Sequence, residues 1–183
     1  MHLISVRQKS SATICKERKV GSQLNKDEFV DKVLEVESTL YRVSKSILMH
    51  DEDCEDAVQG AILKAYDKLG TLKKEQYFKT WLVRILINEC YNLKRKDCST
   101  VPYEEYFELV KADDKEDYRE LYLAIQKLPE RIRITIVLHY VEGYSVEEIK
   151  QILKIPAGTV KSRLAKGRKL LKMKLEHMEA MYG

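Results

Sequence analysis

Thr159, Lys161, Ser162, Arg163, Ala165, Lys166, Arg168 and Lys169 gather five cations and two hydroxyls into eleven residues. Side chains of these types make no covalent bonds; they hold phosphates and donate to or accept from base edges. Successive helical residues are turned by about 100°. Val160, Leu164, Gly167 and Leu171 therefore share one face of a helix, and Thr159, Ser162, Ala165, Lys166 and Lys169 share the opposite one. The apolar face can pack while the other enters a groove, with Lys161, Arg163 and Arg168 on the flanks placed for phosphates. An amphipathic surface helix within a bundle has the same pattern, so the neighbouring elements must decide between the two.

The chain just before this helix favours the groove. Ser145 and Glu148 have the S-x-x-E spacing of a reciprocal capping box, with Tyr144 and Ile149 placed as a hydrophobic staple, which predicts a helix start at Ser145. Lys154-Ile155-Pro156 predicts its end, because proline cannot continue a helix and restricts the residue before it. A second helix then opens at Pro156 or Ala157. Two helices across so short a turn form a helix-turn-helix.

Enzymatic and metal chemistry find no comparable support. No carboxylate cluster, phosphate-cradling glycine loop or nucleophile beside a base stands out, so no catalytic residue and no cofactor are expected. Cys15, Cys54, Cys90 and Cys98 never reach C-x-x-C spacing and the four histidines are scattered, so no metal site is expected either. Without a secretory signal or a long apolar run, the chain reads as soluble and cytoplasmic.

The 183 residues suit two small domains, and 44% hydrophobic and 34% charged residues against seven Gly and three Pro suit an all-α chain. Charge divides it: residues 1–26 carry +5, 27–98 carry −2, 99–120 carry −5 and 121–183 carry +6. A basic carboxy-terminal third fits a nucleic-acid partner, which the acidic stretch would repel. Residues 1–24 lack apolar periodicity and are expected to be a disordered basic tail. Apolar spacing predicts helices over 26–49, 53–69 and from Tyr77 onward, forming a first domain over 25–97 that ends in the basic cluster Lys94-Arg95-Lys96. An acidic linker over 98–118 leads to a second domain over 119–177.

Leu128-Pro129, Tyr144-Ser145-Val146-Glu147-Glu148-Ile149 and Gly158-Thr159-Val160-Lys161-Ser162-Arg163-Leu164 resemble the carboxy-terminal domain of the extracytoplasmic-function (ECF) group of bacterial RNA polymerase sigma-70 factors. Asp53-Cys54-Glu55-Asp56-Ala57-Val58-Gln59 with Ala65-Tyr66 resembles the family's polymerase-docking helix. Trp81-Leu82, Arg84-Ile85 and Asn88 resemble its promoter-melting segment. The resemblance spans about residues 25–175 and implies a sigma factor that binds core RNA polymerase and directs initiation at specific promoters. Asp56 and Gln59 match polymerase contacts. Asn88 and Asn92 fall where the family forms a loop that holds a base flipped out of the minus-ten element, though such amides can equally cap or bond backbone. Tyr91 can stack on a base, and Lys94, Arg95 and Lys96 can follow the single strand. Trp81 reads as core rather than as a strand-separating wedge. The helix at 157–169, including Lys161, Ser162, Arg163, Ala165 and Lys166, would read the minus-thirty-five element, and the acidic linker would thread the polymerase channel. Family habit implies an anti-sigma partner.

Four residues depart from the family pattern. Gly60 replaces an acidic residue, which implies weaker docking. Lys150 stands where alanine lets the two helices of the motif approach, and Lys154 where a turn glycine is usual, so the turn is expected to be looser or differently angled. Gly167 sits mid-helix, where its missing side chain is expected to allow close packing against the preceding helix. The competing reading is a helix-turn-helix regulator that acts without core polymerase, normally as a dimer on paired half-sites.

Overall fold

The computed structural model describes residues 24–96 and 119–182, all of whose regular structure is helical. Both the tail over 1–23 and the acidic linker lie outside the described residues. Leu24, placed by the sequence at the end of the tail, is instead buried. It precedes Asn25, which caps α1 (Lys26–Lys45) through a reciprocal box with Glu28, each bond 2.8 Å long. Leu24 and Phe29 occupy the two positions of a hydrophobic staple and are both in the core.

The first unit contains α1, α2 (Asp51–Asp67) and α3 (Phe78–Lys96). Helix α1 ends four residues before the apolar periodicity does, because residues 46–50 turn the chain through a left-handed Met49 at φ 71°. Cys54, Ala57, Ala61 and Ala65 form the buried face of α2. Their small side chains let α2 lie close against α3, whose Leu82, Val83, Leu86, Ile87 and Cys90 fill the other side. Trp81 is partly buried and packs against this core, with Phe78 beside it at 6.1 Å between ring centroids. Burial pushes the thiols of Cys54 and Cys90 upward, so both remain protonated apolar fillers.

The second unit contains α4 (Arg119–Gln126), α5 (Glu130–Ile136), a wide π-type turn over Val137–Val141, α6 (Val146–Leu153) and α7 (Ala157–Tyr182). Helices α4, α5 and α6 all pack on α7. Gly143 at φ +74° turns the chain from the π segment into α6.

Two glycines inside helices behave oppositely. A Cβ on Gly167 would lie 2.6 Å from Ile136 Cδ1, 2.7 Å from Ile136 Cγ1 and 3.0 Å from Ile132 Cγ2, so α7 approaches α5 more closely than any side chain permits. On Gly60 the nearest atom would be Glu89 Oε2 at 3.8 Å, an ordinary contact. Gly60→Ala is therefore expected to raise stability by about 1 kcal/mol through helix propensity. Gly167→Ala is expected to lower it, since overpacking costs about 1–3 kcal/mol and exceeds the same propensity gain. Urea unfolding followed by circular dichroism reads both; equal shifts would show that α5 and α7 are not in close contact. Lys154, at φ 53°, ends α6 in the left-handed conformation that glycine adopts freely. Lys154→Gly should accordingly stabilise the protein by roughly 0.5–1 kcal/mol in the same assay.

Candidate nucleic-acid interface

The helix-turn-helix is built from α6 and α7. At its start, Glu148 Oε2 accepts from the Ser145 backbone N–H at 2.8 Å, and the Glu148 N–H donates to Ser145 Oγ at 3.3 Å. Tyr144 and Ile149 are both buried in the core, as a staple requires. At its end, the left-handed Lys154 turns the chain, Ile155 N–H reaches back to the Lys150 carbonyl at 3.3 Å, and Pro156 offers its carbonyl to Val160 at 3.1 Å. Ile149, Ile152, Val160 and Leu164 close the angle between the helices from below.

The turn expected to be loose is thus closed by hydrogen bonds at both ends. Lys150 does not separate the two helices. It is exposed and pairs with Glu147 at 2.9 Å, three residues earlier on the same helix. Gly167 is buried against α5 rather than against its partner helix in the motif.

Burial of Val160, Leu164 and Gly167 turns the opposite side of α7 outward. Lys161, Ser162, Ala165, Lys166, Arg168 and Lys169 are exposed, while Thr159 and Arg163 are half-buried. Ser162 Oγ donates to the Thr159 carbonyl at 3.0 Å, and Arg168 Nη1 donates to Tyr140 Oη at 2.8 Å. Tyr140, from the π turn, is a neighbour that periodicity did not single out; an exposed tyrosine after an apolar run was its available signal. Among the described residues no carboxylate pairs with Lys161, Lys166 or Lys169. The outer face of α7 is a band of uncompensated positive charge.

Asn88, Tyr91, Asn92, Lys94, Arg95 and Lys96 all lie on the last turns of α3, not on a loop. The helix persists because its carboxy-terminal cations complement the macrodipole and its side chains bond one another. Asn92 Nδ2 donates to Glu89 Oε1 at 3.0 Å, Arg95 Nη2 donates to Asn92 Oδ1, and Arg95 Nε donates to the Tyr91 carbonyl at 3.2 Å. Asn88 is exposed, whereas Tyr91 and Asn92 are half-buried. Glu130 of α5 accepts from Lys94. Burial, followed by the charge and hydrogen bond of Glu130, pushes the Tyr91 hydroxyl above its ordinary pKa. Sequence reasoning missed Glu130 because nothing local marks a residue 36 positions away as a partner.

Asp56 and Gln59 are exposed on one side of α2. Leu63, one turn further along that side, is 68% exposed. Its signal in the sequence was an aliphatic side chain out of phase with the buried Ala57, Ala61 and Ala65.

Comparison with known proteins agrees with this geometry. Sigma-70 region 2 matches residues 33–98 and sigma-70 region 4 matches residues 118–171. The chain is 32% identical over 181 residues to the ECF RNA polymerase sigma factor SigW of Bacillus subtilis, covering 89% of this chain and 95% of that one. It is 30% identical over 146 residues to the ECF RNA polymerase sigma-E factor of Haemophilus influenzae, covering 68% and 75%. In three dimensions it resembles the sigma factor RpoE of Bartonella quintana, solved with the anti-sigma factor NepR, at a TM-score of 0.70 and 28% identity over 82% of this chain and 98% of that one. With both conserved regions in order and a full-length relative at this identity, the chain belongs to the ECF group of the sigma-70 family.

Proposed function

We infer that this chain binds core RNA polymerase and directs it to specific promoters, and that it does so through three separate surfaces. The observation that carries the reading is the unpaired basic face of α7, held outward by buried Val160, Leu164 and Gly167, in a chain that also carries sigma-70 region 2. Inserted into the major groove, Ser162, Ala165 and Lys166 meet base edges at the minus-thirty-five element, with Thr159 beside them. Lys161, Arg163, Arg168 and Lys169 hold the phosphates on either side. Arg168 arrives already oriented by Tyr140.

Helix α3 supplies the second surface. Asn88 and Asn92 present amides to an unstacked base of the minus-ten element, Tyr91 stacks, and Lys94, Arg95 and Lys96 follow the strand. Because these residues sit on a helix, the base must come to them, and Asn92 must exchange its bonds with Glu89 and Arg95 for bonds to the base. Unstacking a base costs a few kcal/mol, which these contacts offset. The third surface is the side of α2 that carries Asp56, Gln59 and Leu63, which docks on polymerase. Exposure of so large an aliphatic group beside two polar ones fits a surface that a partner covers.

On this reading the chain performs no covalent chemistry, since polymerase supplies the active site, and it acts in the cytoplasm beside polymerase. An anti-sigma partner of the kind seen with the Bartonella quintana RpoE would hold it inactive. The domain limits that follow are 24–97, with Leu24 included as a core residue, and 119–177, with the acidic linker over 98–118 between them in the polymerase channel.

Run-off transcription with purified core polymerase and a pool of promoter fragments tests the whole reading. Start sites that appear only with this protein support it; duplex binding without any directed start would instead mark a regulator independent of polymerase. Lys161→Glu with Lys166→Glu should abolish run-off from promoters that need a minus-thirty-five element while leaving polymerase binding intact. In duplex binding, replacing each phosphate-contacting lysine by alanine should flatten the log affinity against log salt slope by about 1.

A further inference from the structure

Glu89 stands among the α3 residues read above as contacts to the minus-ten strand, yet an acid is repelled by phosphate. Its side chain is only 13% exposed. On the α2 side it faces Gly60, where a Cβ would lie 3.8 Å from Oε2. Both carboxylate oxygens are engaged. Oε2 accepts from Lys64 Nζ of α2, and Oε1 accepts from Asn92 Nδ2 at 3.0 Å. Asn92 in turn accepts through Oδ1 from Arg95 Nη2. Lys64, Glu89, Asn92 and Arg95 thus form one relay from α2 to the last turn of α3, and each donor in it meets an acceptor.

Taking up a base breaks this relay at Asn92. When the amide turns to an unstacked base, Oε2 keeps Lys64 while Oε1 loses the Asn92 N–H. A carboxylate can only accept, and a largely buried acceptor left without a donor is costly. Two of the bases carry the remedy themselves. Adenine at N6 and cytosine at N4 present an amine where guanine at O6 and thymine at O4 present a carbonyl oxygen. The amine replaces the lost N–H; the carbonyl brings two acceptors face to face. A site built to receive a hydrogen rejects an analogue that lacks it, because its own group is left unpaired.

We propose that Glu89 is a base-reading residue, whose Oε1 passes from the Asn92 amide to the exocyclic amine of the captured minus-ten base and so selects adenine or cytosine over guanine or thymine. The proposal rests on the reading of Asn92 as a contact to that base. Lys64 is a positioning residue: it holds the carboxylate against α2 and balances its charge, so that the phosphates of the strand can approach.

The test uses holoenzyme assembled from core polymerase and the full chain, on fork-junction DNA whose minus-ten non-template strand is unpaired, built from a promoter found by run-off transcription. Each unpaired position carries each of the four bases in turn, and competition binding reads the relative affinities. The expected result is a position at which adenine and cytosine are bound about tenfold more tightly than guanine and thymine, the effect of one hydrogen bond to a charged group. Glu89→Gln is expected to level the four bases at that position and to leave the others alone, since an amide can turn either its N–H or its carbonyl to the base. A second arm needs no variant: purine in place of adenine, or pyrimidin-2-one in place of cytosine, removes only the amine and should cost the wild-type holoenzyme a similar loss. Absence of such a position, a preference that survives Glu89→Gln, an equal weakening of all four bases, or full affinity for the amine-free bases overturns the proposal. Asn92→Ala identifies which premise fails. If it weakens binding of the unpaired strand while the preference survives Glu89→Gln, Asn92 meets the base and Glu89 does not. If Asn92→Ala leaves binding unchanged, the minus-ten reading of Asn92 fails and the proposal with it.

Discussion

The rotation of α7 about its own axis governs what the carboxy-terminal half can present to DNA. Three residues set that rotation. Val160 and Leu164 are buried in the core beneath α6, and Gly167 lets the helix come into contact with Ile132 and Ile136 of α5. Turning α7 by one residue would drive a lysine and an arginine into apolar contacts and expose Leu164, which costs a few kcal/mol. The basic face is therefore held by a steric and hydrophobic constraint and not by ion pairs: among the described residues Lys161, Lys166 and Lys169 have no carboxylate partner, and Arg168 bonds only the Tyr140 hydroxyl. That separation suits recognition: groups that must exchange water for phosphate are free to do so, while the groups that orient them are not.

Two helices with different tasks begin in the same way. Asn25 with Glu28 starts α1 and Ser145 with Glu148 starts α6, and each cap is preceded by a buried apolar residue matched to another four positions into the helix. A capping box satisfies two orphan backbone donors and a staple fixes the angle at which the chain enters. At α6 this entry angle matters most, because α6 carries α7. Helix α2 lacks a side-chain cap at His50 and relies on Asp51, Glu52 and Asp53 at the positive end of its dipole. Asp51 also accepts from Tyr41 and Lys45 of α1, so the start of α2 is tied to its neighbour.

The two units meet through apolar contact continuous with the core of each and through a few polar pairs. Beside the apolar contact, Arg42 with Glu142, Lys94 with Glu130, and Arg133 with Ser46 bridge the two. Ion pairs with one exposed partner, as Arg42 and Lys94 are, return little net stability, although a two-point pair such as Arg42 with Glu142 fixes its geometry.

Much of this was determined by the sequence alone. The cap at Ser145, the proline at the opening of α7, the two faces of α7 and the apolar rows of the first three helices are local properties, written in residues no more than a few turns apart. Helix type follows from such spacing because neighbours three and four residues apart necessarily share a face. The tertiary structure decided what spacing cannot reach. Leu24 belongs to the core because Phe29 and its neighbours wait for it, and Asn88 and Asn92 stand on a continuous helix because Glu89 and Arg95 bond around them. Gly167 is required by α5, some thirty residues earlier, and Lys150 is harmless because it points at Glu147 instead of α7. Glu130, Arg133 and Glu142 look in the sequence like ordinary charges of a solvated surface. Only folding brings them against partners 36 to 100 residues away, because electrostatic pairing depends on distance in space, to which separation along the chain is no guide.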